Sequence, residues 1–311
     1  MVSSSCGPPP PRVASFAIVA LATAGCGMVL AVSGCIHAVG LDALATPPVV
    51  RGNLGTWLTD AGGTAADLPR RTELSVGQLV IHADFPLAGQ HRLVRELDGL
   101  RTDVSQTLGL PVSDEPVNLY LFDSPERFDA FVAKRFPMFP ARRAFFVETD
   151  TTLSVFAAWQ DRVAEDLRHE TTHGYVHAVV PALPLWLDEG IAEFFELPRA
   201  DSGLHAAHVA HLAGRLVEGT WRPDLAKLES VTSAAELTQD HYAEAWCWVH
   251  WLLCTTPERR ELLQEYLADI RRNGTAAPLS VQLMRAPGQR GDLSADMTRH
   301  LEELARSTGA L

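Results

Sequence analysis

Between Gly77 and Trp159 the apolar residues follow two different periods. "GQLVIHADF" (77–85) and "PVNLYLF" (116–122) place them at strand spacing, while "AGQHRLVRELDGLRTDVSQTLGL" between them repeats them every three or four positions. A period of two marks a strand and one near 3.6 a helix, so this stretch predicts strand–helix–strand. "SPERFDAFVAKRF" (124–136) opens with Ser, Pro and Glu, a helix-entry pattern, and "RAFFVET" with "TTLSVFAAW" can pair as a hairpin across "DTT". After Trp159 the pattern is helical only, through a helix near 169, then 185–197, 203–217, 238–254, 257–272 and 293–307. The expected class is α+β, a small N-terminal half containing the sheet packed on a mainly helical half.

The first 41 residues have neither period. Arg12 is the only Lys, Arg, Asp or Glu before Asp42, and "VASFAIVALATAGCGMVLAVSGC" is almost wholly small or apolar. Residues 1–41 therefore read as a secretory signal or an uncut membrane anchor. "VSGC" resembles the bacterial lipoprotein box, which would make Cys35 the lipidation site; "TAGC" at Cys26 fits less well. The expected location is the bacterial cell envelope, exported and held at the membrane by a lipid or an anchor helix. Residues 42–75, rich in Pro, Gly, Thr and Ala, read as a flexible linker, and 76–311 as one folded domain.

A composition of 47% hydrophobic and 21% charged residues is that of a globular chain. The formal charge of −12 comes without a basic patch, which excludes nucleic acid as an expected partner. Of the five cysteines only Cys247 and Cys254 lie beyond the leader. Seven residues apart on one predicted helix, they are separated by about 10 Å along its axis, too far for a disulfide. They read as small buried hydrophobes.

The chemistry is concentrated in "HETTH", residues 169–173. His169 and His173, four apart on a helix, point the same way and can share one metal ion. A catalytic zinc takes three protein ligands and leaves a position for water, and Glu170 stands where a general base would. The HExxHxxGxxH pattern is excluded, because Val176 and Val179 stand where it needs Gly and His. The candidate third ligand is Glu189 in "WLDEGIAEFFE", on a helix opened by Pro184. Glu193, one turn on, is the candidate acceptor for a ligand histidine's other ring nitrogen. Asp188 reads as a helix-start charge, and His177, about 12 Å along the axis from His169, as a core or supporting histidine.

"HETTH" and "WLDEGIAE", with fifteen residues between His173 and Glu189, resemble the gluzincin metallopeptidases, most closely their bacterial peptidase MA-like branch. "HYAEAWCWVHWLL" is similar to that branch's Tyr-x-x-x-Trp-x-x-x-His helix, so the resemblance spans about 76–305. It implies a thermolysin-like catalytic core with one Zn²⁺ held by His169, His173 and Glu189, Glu170 as base, and a peptide or protein substrate. It also offers Tyr242 as donor to the oxyanion, with a core aromatic as the alternative reading and His241 as a rival donor. His250 reads as part of a packed helix face, and of Trp246, Trp248 and Trp251 some as core and one as a cleft residue. Two other classes stay open: a catalytically inactive zincin-fold binding module anchored at the membrane, and an anchored structural protein.

Overall fold

The computed structural model describes residues 67–137, 142–180, 182–286 and 292–310, together with the backbone alone of Ala14–Val19 and Ala31–Ile36. The leader reading, the side chain of Cys35 and the linker up to Ala66 fall outside the described residues. Strand β1 (Thr72–Val76) starts the sheet inside the stretch expected as linker, pairing antiparallel with β2 (Leu79–Ala83). Helix α1 (Arg92–Leu108) carries the chain over to β3 (Val117–Phe122), which is parallel to β2, as such a crossover requires. Helix α2 (Pro125–Arg135) begins as its sequence predicts, with Ser124 Oγ accepting the Arg127 amide at 3.4 Å.

The hairpin then forms from β4 (Arg142–Glu148) and β5 (Leu153–Ala158), with β5 parallel to β3. Along the sheet the order is β4, β5, β3, β2, β1, and the strands Ala14–Val19 and Ala31–Ile36 continue it beyond β4. All six residues of β5 are buried, because both faces are covered. On one face α2 packs an aromatic cluster, in which Phe145 and Phe156 stack at 5.0 Å. On the other lie α1 and α3 (Val163–His177), the helix that carries "HETTH".

The helical half consists of α4 (Leu185–Phe195), α5 (Ala206–Val217), α6 (Leu225–Glu229), α7 (Gln239–Cys254), α8 (Pro257–Asn273), α9 (Leu279–Arg285) and α10 (Leu293–Thr308). Helix α4 packs on α3 and on α7. The approach to α7 is close at Gly190, where a Cβ would stand 2.5 Å from the Ala245 carbonyl oxygen. Only glycine lets two helix backbones meet this way. Trp246, Trp248 and Trp251 are all buried, so none faces a cleft. Cys247 is buried as expected, but Cys254, at the end of α7, is exposed. Among the described residues no helix is long and apolar enough to cross a membrane.

Helix α10 is tied to α7 by His250 and His300, whose ring nitrogens Nδ1 and Nε2 lie 3.0 Å apart. Burial pushes both imidazoles down to about 4. Because the folded pKa lies below the ordinary 6.5, the pair contributes stability above pH 6.5 that is lost as pH falls through 4. The loss for one such shift is about 3 kcal/mol. Urea denaturation at pH 7 and pH 4 is expected to show it, and His300→Gln to flatten the dependence; an equal loss in the variant would place the acid sensitivity elsewhere.

Candidate metal centre

Every residue of α3 from Asp166 to His177 is buried, which is unusual for a helix so polar and turns its histidines into the molecule. His169 Nδ1 lies 2.9 Å from Glu196 Oε2, and His173 Nδ1 lies 2.8 Å from Asp188 Oδ1. An ionised carboxylate only accepts, so each Nδ1 carries a proton and each Nε2 is the ring atom left to face a metal ion. Those two Nε2 atoms are 3.2 Å apart. Two ring nitrogens on a tetrahedral zinc stand about 3.4 Å apart, given Zn–N lengths near 2.0–2.1 Å. The pair is therefore spaced and protonated as metal ligands are.

Two carboxylates complete the chamber. Glu189 Oε2 lies 3.6 Å from His169 Nε2, and Glu170 offers an oxygen within 4.8 Å of ligand atoms of both histidines. Both residues have 0% exposure, and none of their four side-chain oxygens has a hydrogen-bond partner among the described residues. A buried carboxylate without partners costs several kcal/mol, and a divalent cation between these groups would offset that cost. The residues thus fit a metal ion. Burial, only partly opposed by His169 and Arg142, pushes the Glu170 carboxyl up to about 8, and burial raises Glu189 as well. For His169 burial works against the charged form, but the neighbouring carboxylates of Glu189 and Glu196 outweigh it and hold the imidazole well above its ordinary value, so a metal ion would take the place of the Nε2 proton.

The supports of the two histidines differ from the sequence reading. Glu193 does not take the ring nitrogen of a ligand histidine; its Oε2 bonds His208 Nε2 at 2.8 Å, and Glu196, one turn further along, holds His169 instead. Asp188 stands in the first turn of α4, as a helix-start charge does, and it has a second role the sequence did not show. It is 2% exposed and bridges His173 to His177, whose Nε2 lies 3.1 Å from Asp188 Oδ2. His177 in turn meets Glu148 Oε2 at 2.6 Å. Burial opposes the ionised forms of Asp188 and Glu196, but the imidazoles outweigh it and hold both carboxyls well below the usual range. Burial, then the charge of Glu196, pushes Glu193 up. The one available signal for Glu196 was its position seven residues after Glu189, two helical turns along one face.

Tyr242 lies fully buried in a small apolar cluster with Leu185, Val231, Ala234 and Leu237. Its ring is packed as that of a core aromatic, and the oxyanion role stays an expectation from the resemblance. His241 is half-buried at the α7 N-terminus, where it forms a capping box with Thr238. His250 sits in the packed face already described.

All of these residues except Arg142 and Glu148 fall within residues 163–279, which match the family described as "Protein of unknown function (DUF1570)". No curated protein matches the chain. Among solved structures it is similar to an M1 zinc metallopeptidase from Deinococcus radiodurans, at 20% identity and a TM-score of 0.38, covering 76% of this chain and 51% of that one. The chain thus spans about half the length of that structure, a distant likeness in a protein that has several His and Glu groups able to hold a metal ion.

Proposed function

We propose that this chain is a zinc-dependent hydrolase of gluzincin type that cleaves peptide bonds. The observation that carries the reading is the convergence of two ring nitrogens, 3.2 Å apart, on a buried chamber whose two carboxylates have no hydrogen-bond partner among the described residues. His169 and His173 on α3 and Glu189 on α4 would hold one zinc ion, which when bound supplies a Lewis acid for a carbonyl and acidifies a water. Glu189 suits the ligand role because its Oε2 reaches His169 Nε2, 3.6 Å away, from the facing helix, whereas Glu170 shares the histidines' own. Glu170 would take the proton from the attacking water and return it to the leaving amine. The proposed setting is the bacterial cell envelope, with Cys35 as lipid attachment, on the composition of residues 1–41 alone.

The chain is expected to purify with close to one zinc. His169→Ala and Glu189→Ala should each weaken zinc by more than the 10–100-fold that loss of an outer partner costs, as read by metal analysis and chelator competition. Full zinc retention by Glu189→Ala would move the third ligand to Glu170. A fully loaded wild type that cleaves nothing in a broad quenched-peptide mixture would replace the peptidase reading with that of a metal-holding binding module.

A further inference from the structure

Each ligand histidine is backed twice. Behind His173 stands Asp188, and behind Asp188 stands His177. Behind His169 stands Glu196, and on its other oxygen, Oε1, sits His205 Nε2 at 3.1 Å. The first line ends inside the molecule, whereas the second runs out to α5, where the side chain of His205 is 15% exposed. His205 stacks on His208 with ring centroids 3.8 Å apart.

Glu193, His205 and His208 place ligand atoms within 4.8 Å of one another, the composition of a second cation site. The hydrogen bonds decide otherwise. His205 is the N-cap of α5, and its Nδ1 accepts the His208 backbone amide at 3.3 Å. A neutral ring that accepts at Nδ1 carries its proton on Nε2, which is then a donor and has no lone pair for a metal. Glu193 is likewise engaged with His208 at 2.8 Å, unlike the partnerless Glu170 and Glu189.

We propose that His205 is a positioning residue for the metal centre. Its Nε2–H donates to Glu196 Oε1, fixing the carboxylate whose Oε2 accepts from His169 Nδ1 and so aiming His169 Nε2 at the ion. The proposal rests on the metal reading above. The residue does two separable jobs, capping α5 through Nδ1 and orienting Glu196 through Nε2, and two substitutions divide them. His205→Asn keeps a favoured N-cap side chain but is too short to reach Glu196. His205→Gln is long enough to return an N–H donor to that oxygen.

The test is zinc affinity of the full chain by competition with a chromogenic chelator, alongside thermal melts of the metal-free forms. His205→Asn is expected to bind zinc about 10-fold more weakly, at the lower end of the range for outer partners, with an unchanged metal-free melt. His205→Gln is expected to restore most of the affinity, which a purely structural role for the imidazole would not allow. Wild-type affinity in His205→Asn, or an equal loss in both variants, overturns the proposal. So does a wild type with two zinc ions of which His205→Asn loses one, since that makes the cluster a second metal site. A wild type that binds no zinc overturns the metal reading itself, and is distinguished by failing before any variant is compared.

Discussion

Glu170→Gln is expected to keep its zinc and lose about 10²–10⁴-fold in turnover, the usual contribution of a general base. The substitution is nearly isosteric and removes a carboxylate whose two oxygens have no partner in the fold, so it breaks no hydrogen bond that holds α3 in place. Burial already raises this carboxyl to about 8, so the fold tolerates a neutral group there. Stability should accordingly stay level or rise. Turnover of a quenched peptide, zinc content and a thermal melt read the three quantities. Unchanged turnover would remove Glu170 from the chemistry, and loss of zinc with turnover would make Glu170 a ligand.

Removing the metal is expected to have the larger effect on stability. At free zinc 1,000-fold above Kd, binding to the folded state alone adds about 4 kcal/mol. At about 2–4 °C per kcal/mol for a domain of this size, chelation should lower Tm by roughly 8–16 °C. The sign follows from the chamber: without a cation the Glu170 and Glu189 oxygens stay buried with no hydrogen bond among the described residues. His173→Ala should melt low and be indifferent to chelator. A wild-type Tm that chelator does not move would mean the two carboxylates are accommodated without a cation.

The sheet was legible where its strands carry an apolar face. β2, β3 and the β4–β5 hairpin fall on the quoted runs, and Ser124 and Pro125 mark the start of α2. β1 was not legible, because an edge strand reading "TELSV" has only exposed and half-buried positions and so no apolar stripe. At the site, "HETTH" and "WLDEGIAE" brought His169, His173, Glu170 and Glu189 into one argument. Which carboxylate supports which imidazole was out of reach, for it depends on the rotation of α4 against α3. Glu193 has the right spacing in the chain, yet α5 supplies His208 to occupy it, a meeting of residues fifteen apart that no local pattern announces. Tyr242 shows the same limit, since its burial is set by Val231, Ala234 and Leu237 from the segment before α7.

The glycine contact between α4 and α7 has a consequence for time rather than for shape. With Gly190 seated against the Ala245 carbonyl, and Glu189 next to it in the chain, the proposed third ligand rides on a two-helix block that packing makes stiff. An ion held between that block and α3 would be enclosed by side chains with at most 1% exposure. Its escape would await an opening of the packed helices, a rare event, so slow exchange of the proposed metal is expected whatever its equilibrium affinity.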